Sequence, residues 1–440
     1  MEKTNRKISL IITIVFIVSL FIGVILLTYS KYLKNNNIYE EENNNKPTII
    51  SKDISMNLEQ TAGVGDYKTV TQSNWPTEGY KFNAELSRCE NGSELSWDDT
   101  KKVVVVSGNL SDKCYVYFDK LLSLTEYVIS QYTGTQGENG IYYHDSSLTN
   151  GAGDNSYRYA GPSESVNNFV CFGSDATTCP TDNLYRILGV FGENYHGVSG
   201  KQLVKLIKYD YNTKAQLGED GDYKGSYTPS DYYVDGTYKG SQTTLDVYYW
   251  NNDTQTNIWS TSLLNKTNLN TNFINNIGST WSNKIATTTW KVGGNTWANI
   301  GSKTPSVAYT NEITNPDPTK STDNATEYSA KIGLMYVSDY GLAASPEAWT
   351  LTISSYNNTT ATNNNWVYMG NNNEWTISRY ADYSNSAFFV FRDGRVAGFM
   401  DGTDYGDVSY YYGVRVTFNL EPSVTYVSGT GTSSDPIILS

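Results

Sequence analysis

The first apolar stretch of the chain is unbroken. Residues 8–30 (ISLIITIVFIVSLFIGVILLTYS) contain no charge. As a helix rising ~1.5 Å per residue, this run spans ~34 Å, enough to cross a hydrocarbon core. Lys3, Arg6 and Lys7 precede it. A short positive end stays inside, so the expected location is the cell membrane, single-pass, with the C-terminal domain extracellular. A cleaved signal peptide is the competing reading, but the run is long for one and no A-x-A site follows. Residues 1–30 are thus read as a cytoplasmic tip and transmembrane anchor. Residues 31–52, rich in Asn and Glu, are read as a polar linker.

Beyond the linker the pattern changes to short alternating or β-branched runs: 80–86, 101–106 (KKVVVV) and 114–118 (CYVYF). Turn residues such as Asn91-Gly92 and Gly108-Asn109 separate them, which predicts a small all-β module over 53–120. Residues 121–131 (LLSLTEYVISQ) have helical spacing and are expected to open a single large domain over 121–440.

Within that domain, 184–191 (LYRILGVF) and 202–209 (QLVKLIKY) predict two strands joined by a hairpin connection. Leu269, Phe273, Ile277 and Trp281 recur at every fourth position, so 261–285 is the predicted helical zone; Leu263 and Leu264 fall off this stripe. Late strands are expected at 332–337, 374–379, 387–391, 395–399 and 414–420. Segments 208–246 and 299–328 are polar and read as long surface loops.

Composition narrows the function. The net charge is −13, which excludes nucleic acid as a main partner, because phosphate binding needs a basic footprint. Charged residues make up only 18% and aromatics 14%, with 37 tyrosines, a composition that favours a folded chain. The four cysteines fall into two local pairs, and proximity favours disulfides Cys89–Cys114 and Cys171–Cys179 among the three possible pairings. No C-x-x-C occurs, so zinc and thioredoxin-like readings fail.

Several motifs recur in a recognisable order. They are 185–191 (YRILGVF) followed by 204–208 (VKLIK); 260–273 (STSLLNKTNLNTNF), with Ser262 and Leu269-Asn270; 331–341 (KIGLMYVSDYG); 375–379 (WTISR); 389–396 (FVFRDGRV); and 413–420 (GVRVTFNL). The order resembles a bacterial domain of unknown function related to formylglycine-generating enzymes, within the C-type-lectin-like fold, over roughly residues 140–425. Val416 stands where that family usually has Pro. The resemblance implies an α+β domain with long loops over one face that bind sugars, proteins or other ligands. The expected architecture is therefore α+β: a C-type-lectin-like domain preceded by a transmembrane helix and a small all-β module.

An enzyme is not expected. Formylglycine-generating enzymes use cysteine late in the domain, and no cysteine follows Cys179. His144 and His196 read as loop residues, without a nucleophile or orienting partner beside them. Arg379 and Arg415, inside predicted core strands, are expected to pair with carboxylates or carbonyls. No cofactor is expected. Calcium is the one ion with candidate oxygen ligands, at Asn251, Asn252 and Asp253, at 219–222 (EDGD) and at 401–407 (DGTDYGD).

The segment between Arg379 and Gly413 crowds tyrosines with Asp, Asn and Arg. Tyrosine offers large contact area at low entropy cost, and the short polar residues offer adaptable hydrogen bonds. The expected ligand-binding residues are Tyr380, Asp382, Tyr383, Asn385, Arg395, Tyr405, Asp407, Tyr410 and Tyr411. Tyr223 and Tyr227, in the loop after the first hairpin, are expected to take no part. The sequence thus predicts a membrane-anchored, extracellular, non-enzymatic binding protein for a glycan or protein ligand. The alternative is a structural or assembly component of the cell envelope.

Overall fold

The structure, a computed structural model, describes residues 54–70, 76, 79–98, 101–109, 112–192, 200–228, 244–315, 327–370, 372–398 and 406–440, with backbone alone at 38–39, 232–234 and 237–240. The chain divides into two compact units between Leu121 and Leu122.

The first unit is built on a five-stranded sheet. Strand Ile54–Glu59 runs parallel to Cys114–Lys120 and antiparallel to Tyr67–Val70. Tyr80–Phe82 and Arg88–Cys89 pair with the other side of Cys114–Lys120. Alternation in CYVYF places Cys114, Val116 and Phe118 inward, where they meet Met56, Val104 and the rings of Phe82 and Trp97. Cys89 lies opposite Cys114 in register, and the two form a disulfide.

The second unit centres on a seven-stranded sheet. Leu184–Phe191 and Leu203–Lys208 form its middle, antiparallel and buried along their whole length. A register shift falls between Ile187 and Gly189. A side chain at 189 would lie 2.1 Å from the Tyr157 carbonyl oxygen, so only glycine lets the two strands approach there. Thr417–Asn419 and Ile332–Gly333 extend the sheet on one side, and Ser156–Tyr159 and Ile141–His144 on the other. Phe169–Cys171 also pairs with Leu184–Phe191, and Cys171 is bonded to Cys179. A second sheet contains Gly294–Asn295, Glu374–Tyr380, Ala387–Val390 and Val396–Ala397. A third contains Tyr223–Tyr227, Leu245–Tyr249 and Tyr411–Tyr412.

The helices are short. Leu124–Ser130 starts with a capping box, in which Ser123 Oγ accepts from the Glu126 N–H and the Glu126 carboxylate accepts from the Ser123 N–H. Leu264–Phe273 is ten residues of π-helix, followed by Ile274–Asn276 and Gly278–Ser282, with Gly278 at φ +75° in the break. Leu269, Phe273 and Trp281 are buried as the stripe predicts, but so is Leu264, which the stripe leaves out.

Two expectations are corrected here. The fold is mostly strands rather than α+β: helix-breaking Asn, Thr and Gly cut the helical zones into short pieces, and the sheets carry most of the core. Among the described residues no helix is long and apolar enough to cross a membrane. The predicted anchor at 8–30 lies outside the described residues, and the single-pass membrane location finds no support in the fold. Smaller differences follow the same logic. Residues 332–337 are not one strand, because Val337 begins the helix Val337–Leu342. The polar segments 208–246 and 299–328 are not simple loops, since they contain the strand Tyr223–Tyr227 and the helices Pro305–Tyr309 and Thr310–Thr314.

Candidate functional site

Of the nine expected binding residues, the eight that are described do not form one exposed face. Tyr380 is core: it ends the fully buried strand Glu374–Tyr380, and its ring stacks on Phe388 at 4.1 Å. Alternation along that strand does not leave it outside, because other elements cover both faces. Asp382 and Tyr383 are exposed at the turn that follows. Asn385 and Asp407 hold each other, the Asn385 amide donating to Asp407 Oδ2 at 2.6 Å, while Asp407 Oδ1 also accepts from the backbone and hydroxyl of Ser409. Arg395 pairs with Asp393 at 3.1 Å and covers the Phe391 ring. Tyr410 lies nearly parallel to Tyr412. Tyr405 lies outside the described residues.

Tyr411 goes elsewhere. Its strand pairs with Leu245–Tyr249, which brings its ring to 5.7 Å from Tyr227 and 6.0 Å from Tyr249, with Lys224 Nζ above its face. Tyr227, expected to stand apart, belongs to this aromatic group. The signal was absent from the sequence because the pairing partners are far apart along the chain.

The calcium candidates separate in the same way. Asp222, from EDGD, is buried and accepts the Asn252 and Leu264 N–H groups, tying two loops together. Asn251 is buried too, and its amide donates to Thr254, Thr256 and Thr261. Asp253 is exposed. Residues 401–405 lie outside the described residues. Among the described residues no group of three or more His, Cys, Asp or Glu side chains could hold a metal ion.

His144 is not a loop residue. It ends the strand Ile141–His144, is fully buried, and its Nδ1 accepts the Ala152 N–H at 3.0 Å. Burial, reinforced by nearby Arg158, lowers its pKa to about 3. His196 lies outside the described residues.

A concave site does exist, away from the expected residues. A cleft of about 600 Å³ runs between the segment 137–166 and the segment 345–364. One wall is the turn Gly137–Gly140 with Tyr142; glycine is required at 137, where φ is +81° and a side chain would strike the Tyr142 hydroxyl. The other wall is the short helix Thr359–Thr362, capped by Asn358, with Asn363, Asn364, Ser345 and Glu347 beside it. The base is pinned. Gly161 and Ala344 both bridge to Asn365, the Asn365 amide donates to the Tyr340 carbonyl, and the Trp366 indole donates to the Tyr159 carbonyl at 2.8 Å. The Tyr142 ring meets Trp349 edge-on at 5.4 Å. Burial, and then the Glu347 carboxylate, raise the Tyr142 pKa, so its hydroxyl stays protonated as a donor. The cleft therefore offers hydroxyls, amides, backbone groups, one carboxylate and one ring on a rigid frame.

Beneath the seven-stranded sheet lies a buried ionic cluster that the sequence reading missed. Arg158 pairs with Asp154 at 2.6 Å and approaches Asp339 at 3.8 Å; Lys205 Nζ meets Asp339 Oδ2 at 2.5 Å. Glu312 accepts the N–H groups of Val337 and Ser338 and the Ser378 hydroxyl. Burial pushes the Glu312 carboxyl up to about 7. The available signal was Lys205 itself, a cation set between Leu203-Val204 and Leu206-Ile207 in a buried strand.

No family model, curated protein or solved structure compared with this chain matches it.

Proposed function

We propose that the second unit is a non-enzymatic binding domain whose cleft takes a polyhydroxylated ligand, a glycan. The observation that carries this is the lining of the cleft between Tyr142 and Asn364: neutral donors and acceptors dominate, with one ring available for a sugar face and one carboxylate for paired hydroxyls. Its volume lies within the range of small-ligand sites. The absence of any cysteine after Cys179 weighs against the chemistry of the family whose motif order the chain resembles.

The test is a glycan array with the full chain, followed by titration calorimetry of the best binder. Thr360, exposed on the cleft wall, is changed to Trp to fill the space, and Glu347 to Gln to remove the charge. Each is expected to weaken binding at least several-fold with little change in melting temperature. Binding that survives both variants would place the site elsewhere, and an array without binders would reject the ligand class.

A protein ligand is the second reading, favoured by the Tyr227, Tyr249 and Tyr411 rings grouped beside Lys224.

A further inference from the structure

We infer that Lys205 and Asp339 condense to a side-chain amide, an internal covalent cross-link between the strand Leu203–Lys208 and the helix Val337–Leu342. The reacting groups already touch: Lys205 Nζ lies 2.5 Å from Asp339 Oδ2, the oxygen one bond from the Cγ that the amine must attack, and the two side chains are 1% and 3% exposed. The site is enclosed by the rings of Tyr336, Trp290 and Phe191, at 4.5, 5.4 and 5.5 Å from Nζ. The remaining space beside them is about 10 Å³, at the lower limit for one water molecule. This inference does not depend on the glycan reading of the cleft.

The reaction balances without an outside reagent. A proton passes from the Lys205 ammonium to the Asp339 carboxylate, giving an amine and a carboxylic acid. The amine lone pair attacks Cγ. Negative charge develops on Oδ1, the oxygen that faces Arg158 Nη1 at 3.8 Å, and this guanidinium opposes it. The Cγ–Oδ2 bond then breaks. Oδ2 leaves as water with the acid proton and one proton from the attacking nitrogen, and the amide keeps one N–H. Nothing is oxidised or reduced.

Burial sets the direction. An ion pair removed from water loses its hydration, whereas an amide carries no net charge, so condensation relieves a desolvation cost that the ion pair bears. Burial lowers the Lys205 pKa, against the opposing field of Asp339, and so favours the nucleophilic amine. Arg158 keeps its own partner, Asp154, so the remaining cluster stays paired. Two further contacts hold Asp339 in place. The Tyr336 N–H donates to Oδ2 at 3.0 Å, and Glu312 fixes the start of the same helix through the Val337 and Ser338 N–H groups.

Peptide mapping of the full chain, reduced, denatured and digested with trypsin, tests the inference. The expected product is one branched peptide that joins the Lys205 and Asp339 segments and weighs one water less than their sum. Cleavage after residue 205 should be lost. Lys205→Arg keeps the charge but cannot form this bond, and its digest should yield two separate peptides. If the unaltered chain gives separate peptides with free Lys205 and Asp339 side chains, the inference is overturned. A joined peptide that persists in Lys205→Arg would assign the link to other residues and overturn it equally.

Discussion

Arg415 grips Glu374 with two parallel hydrogen bonds, Nε to Oε1 and Nη2 to Oε2, each 2.8 Å long, and neither side chain is more than 3% exposed. A third bond runs from Nη2 to the Val367 carbonyl. Burial opposes ionisation of Glu374 and Arg415 favours it, so the pair is held as a unit joining the second sheet to the segment that leads into Thr417–Asn419.

Removing one member of this pair leaves a buried charge without its partner. Arg415→Met and Glu374→Leu are each expected to lower stability by ~3–5 kcal/mol. The double variant should cost clearly less than the sum, because no orphaned charge remains. Urea denaturation of the four proteins measures this coupling.

Tyr380 and Tyr383 are three residues apart and should respond in opposite ways. Tyr380→Ala opens a hole beside Phe388 and should cost ~3–5 kcal/mol. Tyr383 is 46% exposed, and its change to Ala should leave the melting temperature almost unmoved. Thermal denaturation followed by circular dichroism distinguishes them. Equal effects would contradict the burial of Tyr380.

Glu312 gives the fold a dependence on pH with a defined sign. Its folded pKa is raised to about 7 from the ordinary 4.5, first by burial. The folded chain therefore keeps a proton that the unfolded chain has released between those values. Stability from this group is complete below about 4.5 and is lost as pH rises through about 7, with a slope of at most about 1.4 kcal/mol per pH unit. Glu312→Gln, which stays neutral, should remove this contribution, so that in denaturation series across this range its stability changes with pH more positively than that of the unaltered chain, by up to the same slope.

His144 acts in the opposite sense. Its folded pKa is lowered to about 3, whereas the unfolded side chain titrates near 6.5. Its contribution is present above 6.5 and is lost as pH falls toward 3. Imidazole carbon and nitrogen shifts followed by NMR should show His144 neutral through this window. A midpoint near 6.5 would show that the ring is not buried as described.

The two disulfides should stabilise unequally. Their sequence separations are 25 and 8 residues. In the chain-entropy model such loops correspond to about 3.5 and about 2.5 kcal/mol. Replacing Cys89 and Cys114 together by Ala should therefore cost more than replacing Cys171 and Cys179, as read by chemical denaturation.

Local chemistry carried part of this molecule. The Ser123–Glu126 cap, the apolar runs that become Leu184–Phe191 and Leu203–Lys208, and the two cysteine pairs are readable because the interacting residues lie within one element or, for the cysteines, within 25 residues of each other in the same unit. Periodicity also marked the stripe of Leu269, Phe273 and Trp281. The site was not readable in this way. Tyrosines that look alike in sequence diverge: Tyr380 is covered on both faces of its strand, Tyr383 is left at a turn, and Tyr411 is drawn to Tyr227 by strand pairing. The walls of the cleft come from segments some 200 residues apart, and Lys205 reaches Asp339 across 134 residues. Sequence patterning reports which face of an element is apolar. Which elements then cover that face, and which distant charge meets a buried lysine, is decided only when the sheets pack, because burial and pairing are properties of the assembled layers and not of any one strand.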